Sequence, residues 1–298
     1  MKAIILNASP RKNWNTAQLL KAARQGAEEA GAETEYVDLY DLNFTGCRSC
    51  LLCKRKDGER CKCFWKDDLS PLLDRVFDAD VLLIGSPIYL GDTTSQFHAF
   101  VERLHFCTLS YDDYSNYFTG KINVGVIYTM NAPQAFYQLQ YEHRLSDQAE
   151  AFRSLGGKVE TLCSFDTLQV KDYSKFSMAG FNAEHKKAHH EKQFPLDLEK
   201  ARQLGAELVR LADAECKRES PGSANDSRSR TAPPLRNEPG KYSSSDQRYY
   251  AGDRELFSVF QVDSRGERNE ESARTGKRRN PVQLIMDGTC EQMKRMIY

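Results

Sequence analysis

Residues 2–16 read KAIILNASPRKNWNT. A short, continuous apolar run passes directly into a polar loop, and the loop opens into the amphipathic stretch TAQLLKAARQGAEEAG. An uninterrupted apolar run bounded by polar residues is the mark of a strand buried on both faces, as in a parallel sheet. In the stretch that follows, Leu20, Ala23, Ala27 and Ala30 recur at helical spacing, and Gly31 is placed to stop the helix. Strand, polar loop and helix in that order make the first part of a βαβ unit.

The alternation continues along the chain. TEYVDLY predicts a second strand, and DDLSPLLDRVFDAD a helix with Asp67 and Asp68 near its positive end. VLLIGSP predicts a third buried strand, followed by a helix over TSQFHAFVERLHF with Phe97, Phe100, Val101 and Leu104 on one face. INVGVIYTM reads as a fourth strand, and APQAFYQLQYEHRLSDQAEAFRSLGG as one long helix ended by Gly156–Gly157. KVETLCSF is a fifth strand, and FPLDLEKARQLGAELVRLAD a closing helix with Pro195 in its first turn. Five buried strands joined by helices predict an α/β fold, a doubly wound parallel sheet with right-handed crossovers. The common five-strand order is 2-1-3-4-5, and ligands then bind beyond the carboxyl ends of strands 1 and 3.

Bulk properties narrow the function classes. The chain has 298 residues, 40% hydrophobic and 28% charged, with zero formal net charge. Nothing in that balance argues for nucleic acid or an anionic membrane as partner. No apolar run approaches the roughly 20 residues of a membrane helix. The apolar part of MKAIILNASP is too short for an export signal, so a reducing cytoplasm is the expectation. Composition changes near residue 213, beyond which ESPGSANDSRSRTAPPLRNEPGKYSSSDQR is rich in Ser, Pro, Arg and Asn. A stretch of that kind buries too little apolar surface to offset the entropy of ordering. The expectation is therefore an α/β domain over residues 1–213 and a low-complexity, mostly disordered tail over 214–298. The tail's apolar patches, LFSVFQV and PVQLIMDGTCEQMKRMIY, read as transient local structure, and KRRN (277–280) as a solvated charge run.

The two loops at the predicted switch point carry the chemistry. After strand 1, NASPRKNWNTAQLL offers a helix N-terminus, the short polar side chains of Ser9, Asn15 and Thr16, and the Arg11 guanidinium. That set suits a phosphate monoester, and neither a P-loop nor a dinucleotide fingerprint is present. The plainer reading is that Asn15 or Thr16 caps the helix. After strand 3, GSPIYLGDTTSQFHAFVERL places a rigid Pro87, an aromatic face at Tyr89 and a permissive Gly91 where a planar ring could lie. An ordinary strand-to-helix turn is the alternative.

Together these stretches resemble the flavodoxin-like NAD(P)H-dependent FMN reductases, and within them the iron–sulfur flavoproteins. The resemblance rests on NASPRKNWNT, GCRSCLLCKRKDGERCKCFWKDDL, DADVLLIGSPIYLGDTTSQFHAFVERL and FPLDLEKARQLGAELV, spans roughly residues 1–212, and does not reach the tail. It implies a flavodoxin-like fold and an FMN phosphate held by Ser9, Arg11, Asn13, Asn15 and Thr16. It implies an isoalloxazine ring lined by Pro87, Ile88, Tyr89, Leu90 and Gly91, with a third contact from Thr129, Met130 and Asn131. Trp14 stands where the family commonly has Gly, and His98 where Lys is frequent. The resemblance further implies NADH or NADPH as reductant, a separate electron acceptor, and a homodimer or homotetramer. The hard chemistry belongs to the flavin, so no catalytic acid or base is assigned. Two other functions stay open: a non-enzymatic flavodoxin-like electron carrier, and an FMN-free interaction protein that binds zinc.

Five of the nine cysteines fall in GCRSCLLCKRKDGERCKC, residues 46–63. Cys47, Cys50 and Cys53 have C-x2-C-x2-C spacing, and Cys61 can supply a fourth thiolate to a four-iron, four-sulfur cluster. The resemblance points the same way and leaves Cys63 surplus. Zinc and metal-free thiols are the alternatives. Cys107 and Cys163 read as small apolar core residues, and Cys216 and Cys290 as unrelated. His185 and His189 share a helical face, with His190 beside them; without a partnering carboxylate in the pattern, a solvated face is expected. Tyr111, Tyr114 and Tyr117 suit a flap over the flavin, a dimer contact or a plain surface loop.

Overall fold

The structure is a computed structural model that describes residues 1–219, with side chains through residue 217. The tail from residue 220 onward, with its apolar patches, KRRN and Cys290, lies outside the described residues.

The strands are β1 (Lys2–Asn7), β2 (Glu33–Asp38), β3 (Val81–Pro87), β4 (Ile122–Thr129) and β5 (Gly156–Ser164). They form one parallel sheet in the order β2-β1-β3-β4-β5. Alternate residues of each strand face opposite layers. Ile4, Leu6, Leu82 and Ile84 pack with α2 (Leu69–Phe77), α3 (Ser95–Thr108), α4 (Gln134–Gln140) and α5 (Glu142–Glu150). Ala3, Ile5, Val81 and Leu83 pack with α1 (Asn15–Glu29) and α6 (Ala183–Glu219). Winding reverses between β1 and β3, so their carboxyl ends diverge into a crevice.

Two helices differ from the expectation. The long helix predicted over 132–157 is α4, α5 and a 3-10 turn at Ala151–Leu155, with the break at Tyr141. Tertiary packing overrides the local pattern there. The Tyr141 ring lies against Gly91, where an added Cβ would come within 2.8 Å of it, and meets Phe136 edge-on at 5.2 Å. The closing helix begins at Ala183 rather than beside Pro195, which lies inside it. Asn182 starts it instead: its Oδ1 accepts from the His185 amide at 2.9 Å and its carbonyl from the Lys186 amide at 3.0 Å. At its other end the helix passes Asp213, the expected domain limit, and runs to Glu219.

Helices α1 and α6 touch backbone to backbone. A Cβ at Gly26 would lie 1.8 Å from the Arg202 carbonyl oxygen, and one at Gly205 1.9 Å from that of Ala23. Gly205→Ala should therefore lower stability by about 2–3 kcal/mol, although Ala is favoured in an isolated helix by about 1 kcal/mol. Urea denaturation measures this; an unchanged midpoint would show that the two helices separate at no cost.

Candidate functional site

The loops beyond β1, β3 and β4 converge on one another. Thr94, in the loop after β3, donates from Oγ1 to the Ala8 carbonyl at 2.7 Å and takes the Ser86 hydroxyl as acceptor for its amide at 3.0 Å. The Ile88 amide donates to the Thr129 carbonyl at 2.8 Å. The hydroxyls of Thr16 and Thr129 share a buried hydrogen bond of 2.7 Å.

Neither Asn15 nor Thr16 caps α1, contrary to the plainer reading of that loop. The N-cap residue is Trp14, which makes no side-chain cap bond. Asn15 Nδ2 donates instead to the Leu168 carbonyl at 2.9 Å, and Trp14 Nε1 donates to the same carbonyl at 3.0 Å. The Gln18 amide donates to the Trp14 carbonyl at 2.9 Å, so the amides of Asn15, Thr16 and Ala17 precede the first helical bond from the N-cap. An uncapped helix start beside buried Ser9 is chemically suited to a phosphate. Trp14 thus serves to hold the loop after β5. Arg11 is drawn the same way, donating to the Gln169 carbonyl at 2.6 Å with its guanidinium 5.6 Å from the Trp14 ring. Asn13 is exposed and accepts from Lys21 at 2.8 Å.

After β3, Tyr89 and Asp92 exchange backbone hydrogen bonds of 2.7 and 3.1 Å, which closes a tight turn. Leu90 and Gly91 both have positive φ, +52° and +83°. Leu90 is fully exposed at the tip, and Tyr89 is also exposed. After β4, Met130 is buried, and Asn131 Oδ1 is a buried acceptor without a hydrogen-bond partner among the described residues. Buried orphan acceptors are rare, and this one beside an apolar turn fits a flat heterocycle with N–H donors on its edge. The residues present therefore fit FMN. His98, by contrast, is tied to Asp92 at 3.0 Å on the surface.

The cysteine loop lies along α3. Lys54 anchors it: its ammonium donates to the carbonyls of Phe106 and Leu109 at the negative end of α3. The same ammonium stands 4.6, 5.2 and 5.6 Å from the rings of Phe106, Tyr111 and Tyr117. The tyrosine segment thus packs on the cysteine loop. Cys47, Cys50, Cys53, Cys63 and Cys107 line one cavity, together with Arg103 and Phe106. Of the four ligands expected from spacing, Cys61 is not among the lining residues; it sits at φ +54° with its thiol pushed up to about 11 by burial. Ser49 and Leu51 are also left-handed, so the backbone bends on either side of the exposed Cys50. The Ser49 amide donates to Cys47 Sγ at 3.4 Å. Clustered thiols with amide donors and aromatic walls fit an iron–sulfur cluster.

Residues 1–146 match the family model described as NADPH-dependent FMN reductase. Over these residues, just under half of the chain, the sequence is similar to that family. Among curated proteins, it is 35% identical over 103 residues to an iron–sulfur flavoprotein of Methanocaldococcus jannaschii, covering 35% of this chain and 51% of the relative. An iron–sulfur flavoprotein of Methanosarcina thermophila is 29% identical over 103 residues, covering 35% and 52%. The chain spans about half the length of the curated relatives it matches. Among solved structures, an NAD(P)H:quinone oxidoreductase from Methanothermobacter marburgensis aligns with a TM-score of 0.49 at 17% identity, covering 70% of this chain and 96% of that one.

Sequence reading did not place three residues at the cysteine cavity. Cys63 was surplus by spacing, Cys107 read as core, and Arg103 passed unnoticed on an apolar face. Arg103 and Cys107 are four apart on α3, and a charged residue within a buried stripe was the available signal. Arg103 is 2% exposed. It ion-pairs with Asp67 and donates to Ser70 Oγ at 2.7 Å, Cys63 Sγ at 3.1 Å and the Thr45 carbonyl at 3.3 Å. Donation from the Cys107 thiol lowers Cys63 to about 5 and Cys53 to about 7, while Cys107 itself is pushed up. One S–H proton serves one acceptor at a time, and Arg103 adds a second donor to Cys63 alone. Cys63 is therefore the preferred thiolate. In metal-free protein, alkylation of Cys63 should rise as pH passes upward through about 5, and Cys107→Ala should move that rise to higher pH. Mass-spectrometric labelling reads both; a profile for Cys63 near the ordinary thiol value of 9.0 would contradict the assignment.

Proposed function

We propose that the chain is an FMN-dependent oxidoreductase that takes hydride from NADH or NADPH for an acceptor, with a 4Fe–4S cluster on its cysteine loop. The observation that carries this reading is the meeting of three loops at Thr129, which sets an uncapped α1, an apolar turn and the orphan Asn131 Oδ1 around one crevice. The family and the iron–sulfur names of the relatives support it. When bound, FMN supplies hydride acceptance and one- or two-electron release, and the cluster supplies one-electron transfer.

The chain's own residues do the holding. Ser9 and the first amides of α1 would bind the phosphate, with Asn15 and Thr16 beside it and Arg11 and Asn13 on the open rim. Pro87, Ile88, Tyr89, Leu90 and Gly91 shape one wall for the ring, and Thr129, Met130 and Asn131 the other. Cys47, Cys50 and Cys53 supply three thiolates, and Cys63, rather than Cys61, the fourth. Flavin binding is assigned to the domain within residues 1–213, and none of it to the tail.

Protein purified without oxygen should show flavin absorption, hold about four irons per chain, and oxidise a reduced nicotinamide. Cys63→Ser should lose the iron while Cys61→Ser keeps it. Bound flavin without nicotinamide oxidation would make the protein an electron carrier, and a colourless, zinc-loaded preparation would overturn both assignments. Exposed Leu90, Leu51, Leu52 and Trp65 give the chain apolar surface to bury against copies of itself. A homodimer or homotetramer is expected by light scattering, and a monomer at all concentrations would refute it.

A further inference from the structure

The first turns of α6 put His185 and His189 on one face, with rings stacked at 6.1 Å and 25°. The carboxylate that the sequence pattern did not offer arrives from elsewhere in the fold. Asp166, in the loop after β5, places Oδ2 2.7 Å from His185 Nε2 and 3.9 Å from His189 Nδ1. One ligand atom from each of the three side chains lies within 4.8 Å of the others. Lys186 ion-pairs with the other carboxylate oxygen and donates to the Asn131 carbonyl at 2.6 Å, which fixes Oδ2 toward the histidines. The side chains are 12% (Asp166), 30% (His189) and 61% (His185) exposed, so the group opens to solvent on the His185 side.

A simple hydrogen-bond network accounts for the His185–Asp166 contact but not for His189. Its Nδ1 is beyond hydrogen-bond distance of the carboxylate, and its Nε2 is buried with no partner among the described residues. We infer that Asp166, His185 and His189 form a site for a divalent first-row transition ion, zinc in the first instance, with an open position facing solvent. Two imidazoles and one carboxylate are a donor set that such ions accept, and three protein ligands leave room for water. Bonds of about 2.1 Å place tetrahedral ligand atoms about 3.4 Å apart. The separations of 2.7 and 3.9 Å bracket that value, so small side-chain adjustments close the site. The Lys186 ammonium on the same carboxylate weakens the attraction for a dication, which makes the site a reversible one rather than a structural zinc centre. The inference is independent of the flavin and of the cysteine cluster.

The test uses the full chain as purified, titrated with Zn²⁺ alone and then with Co²⁺ alone, beside His185→Ala and His189→Ala. Wild type should retain about one more metal ion per chain than either variant. Saturating Zn²⁺ should raise its thermal midpoint by roughly 5–10 °C at a hundredfold excess over Kd, a rise that both variants lose. Because thiolates can also take up these metals, Co²⁺ separates the two. Thiolate sites give sulfur-to-cobalt charge transfer, whereas the ion lost with the histidines should carry only weak ligand-field bands. Equal metal content and equal thermal shifts in all three proteins would overturn the site, as would charge-transfer intensity that falls with the histidine substitutions. His185 is exposed, and in His185→Ala the Asp166 turn keeps its bonds to Lys186 and to the Ala132 carbonyl, so the comparison stays decisive.

Discussion

One buried threonine joins the three loops of the crevice. Thr129 ends β4, accepts the Ile88 amide through its carbonyl, and shares its hydroxyl hydrogen bond with Thr16 at the start of α1. Both hydroxyls are out of water, so breaking the pair strands a polar group at a cost of about 1–3 kcal/mol. That constraint holds the start of α1 at a fixed place relative to β3 and β4. With Thr16 and Asn15 engaged elsewhere, the first amides of α1 are left without a side-chain cap. The loop that would anchor a phosphate is thus free because its own capping residues are committed to tertiary contacts.

The cysteine cavity rests on a different constraint, the burial of Arg103. A guanidinium taken out of water is tolerated only among hydrogen-bonding and negatively charged partners. Asp67 supplies one charge and also accepts the amides of Leu69 and Ser70 at 3.1 and 3.2 Å, so it starts α2 as well. Cys63 supplies the second when ionised. Lys54 meanwhile closes the end of α3. The loop that carries five cysteines is therefore anchored by Arg103 on α3, by Asp67 just before α2 and by its own Lys54 at the end of α3, and its left-handed residues can persist because those anchors hold them.

The sheet was legible because each strand announces itself locally. A continuous apolar run such as Val81–Ile84 has few other uses, and the alternation of strands with helices leaves few topologies to consider. Helix ends were less legible, since they depend on distant residues. The break at Tyr141 follows from its ring meeting Gly91, some fifty residues earlier in the chain. Pro195 reads as a helix start, yet Asn182 caps the helix earlier and contacts to Asp166 support the added turns. The same distinction governs the cysteines. Spacing favours Cys61, whereas the cavity is closed by Cys63 and by Cys107 of α3, because linear spacing does not report which way a left-handed residue turns the chain.

Asp166 shows how these parts are linked. It is a non-glycine residue at φ +54°, a conformation that costs free energy unless its surroundings enforce it. The enforcement is visible: its amide donates to the Ala132 carbonyl at 2.9 Å, and its carboxylate is divided between Lys186 and His185. Two residues on, the Leu168 carbonyl accepts from Trp14 and Asn15. Lys186 meanwhile reaches the carbonyl of Asn131 in the loop after β4. The strained turn at Asp166 therefore stands between the start of α6, the start of α1 and the loop after β4. The twelve residues of α6 that precede Pro195 form because they complete this network, which explains why local sequence rules place the helix start too late.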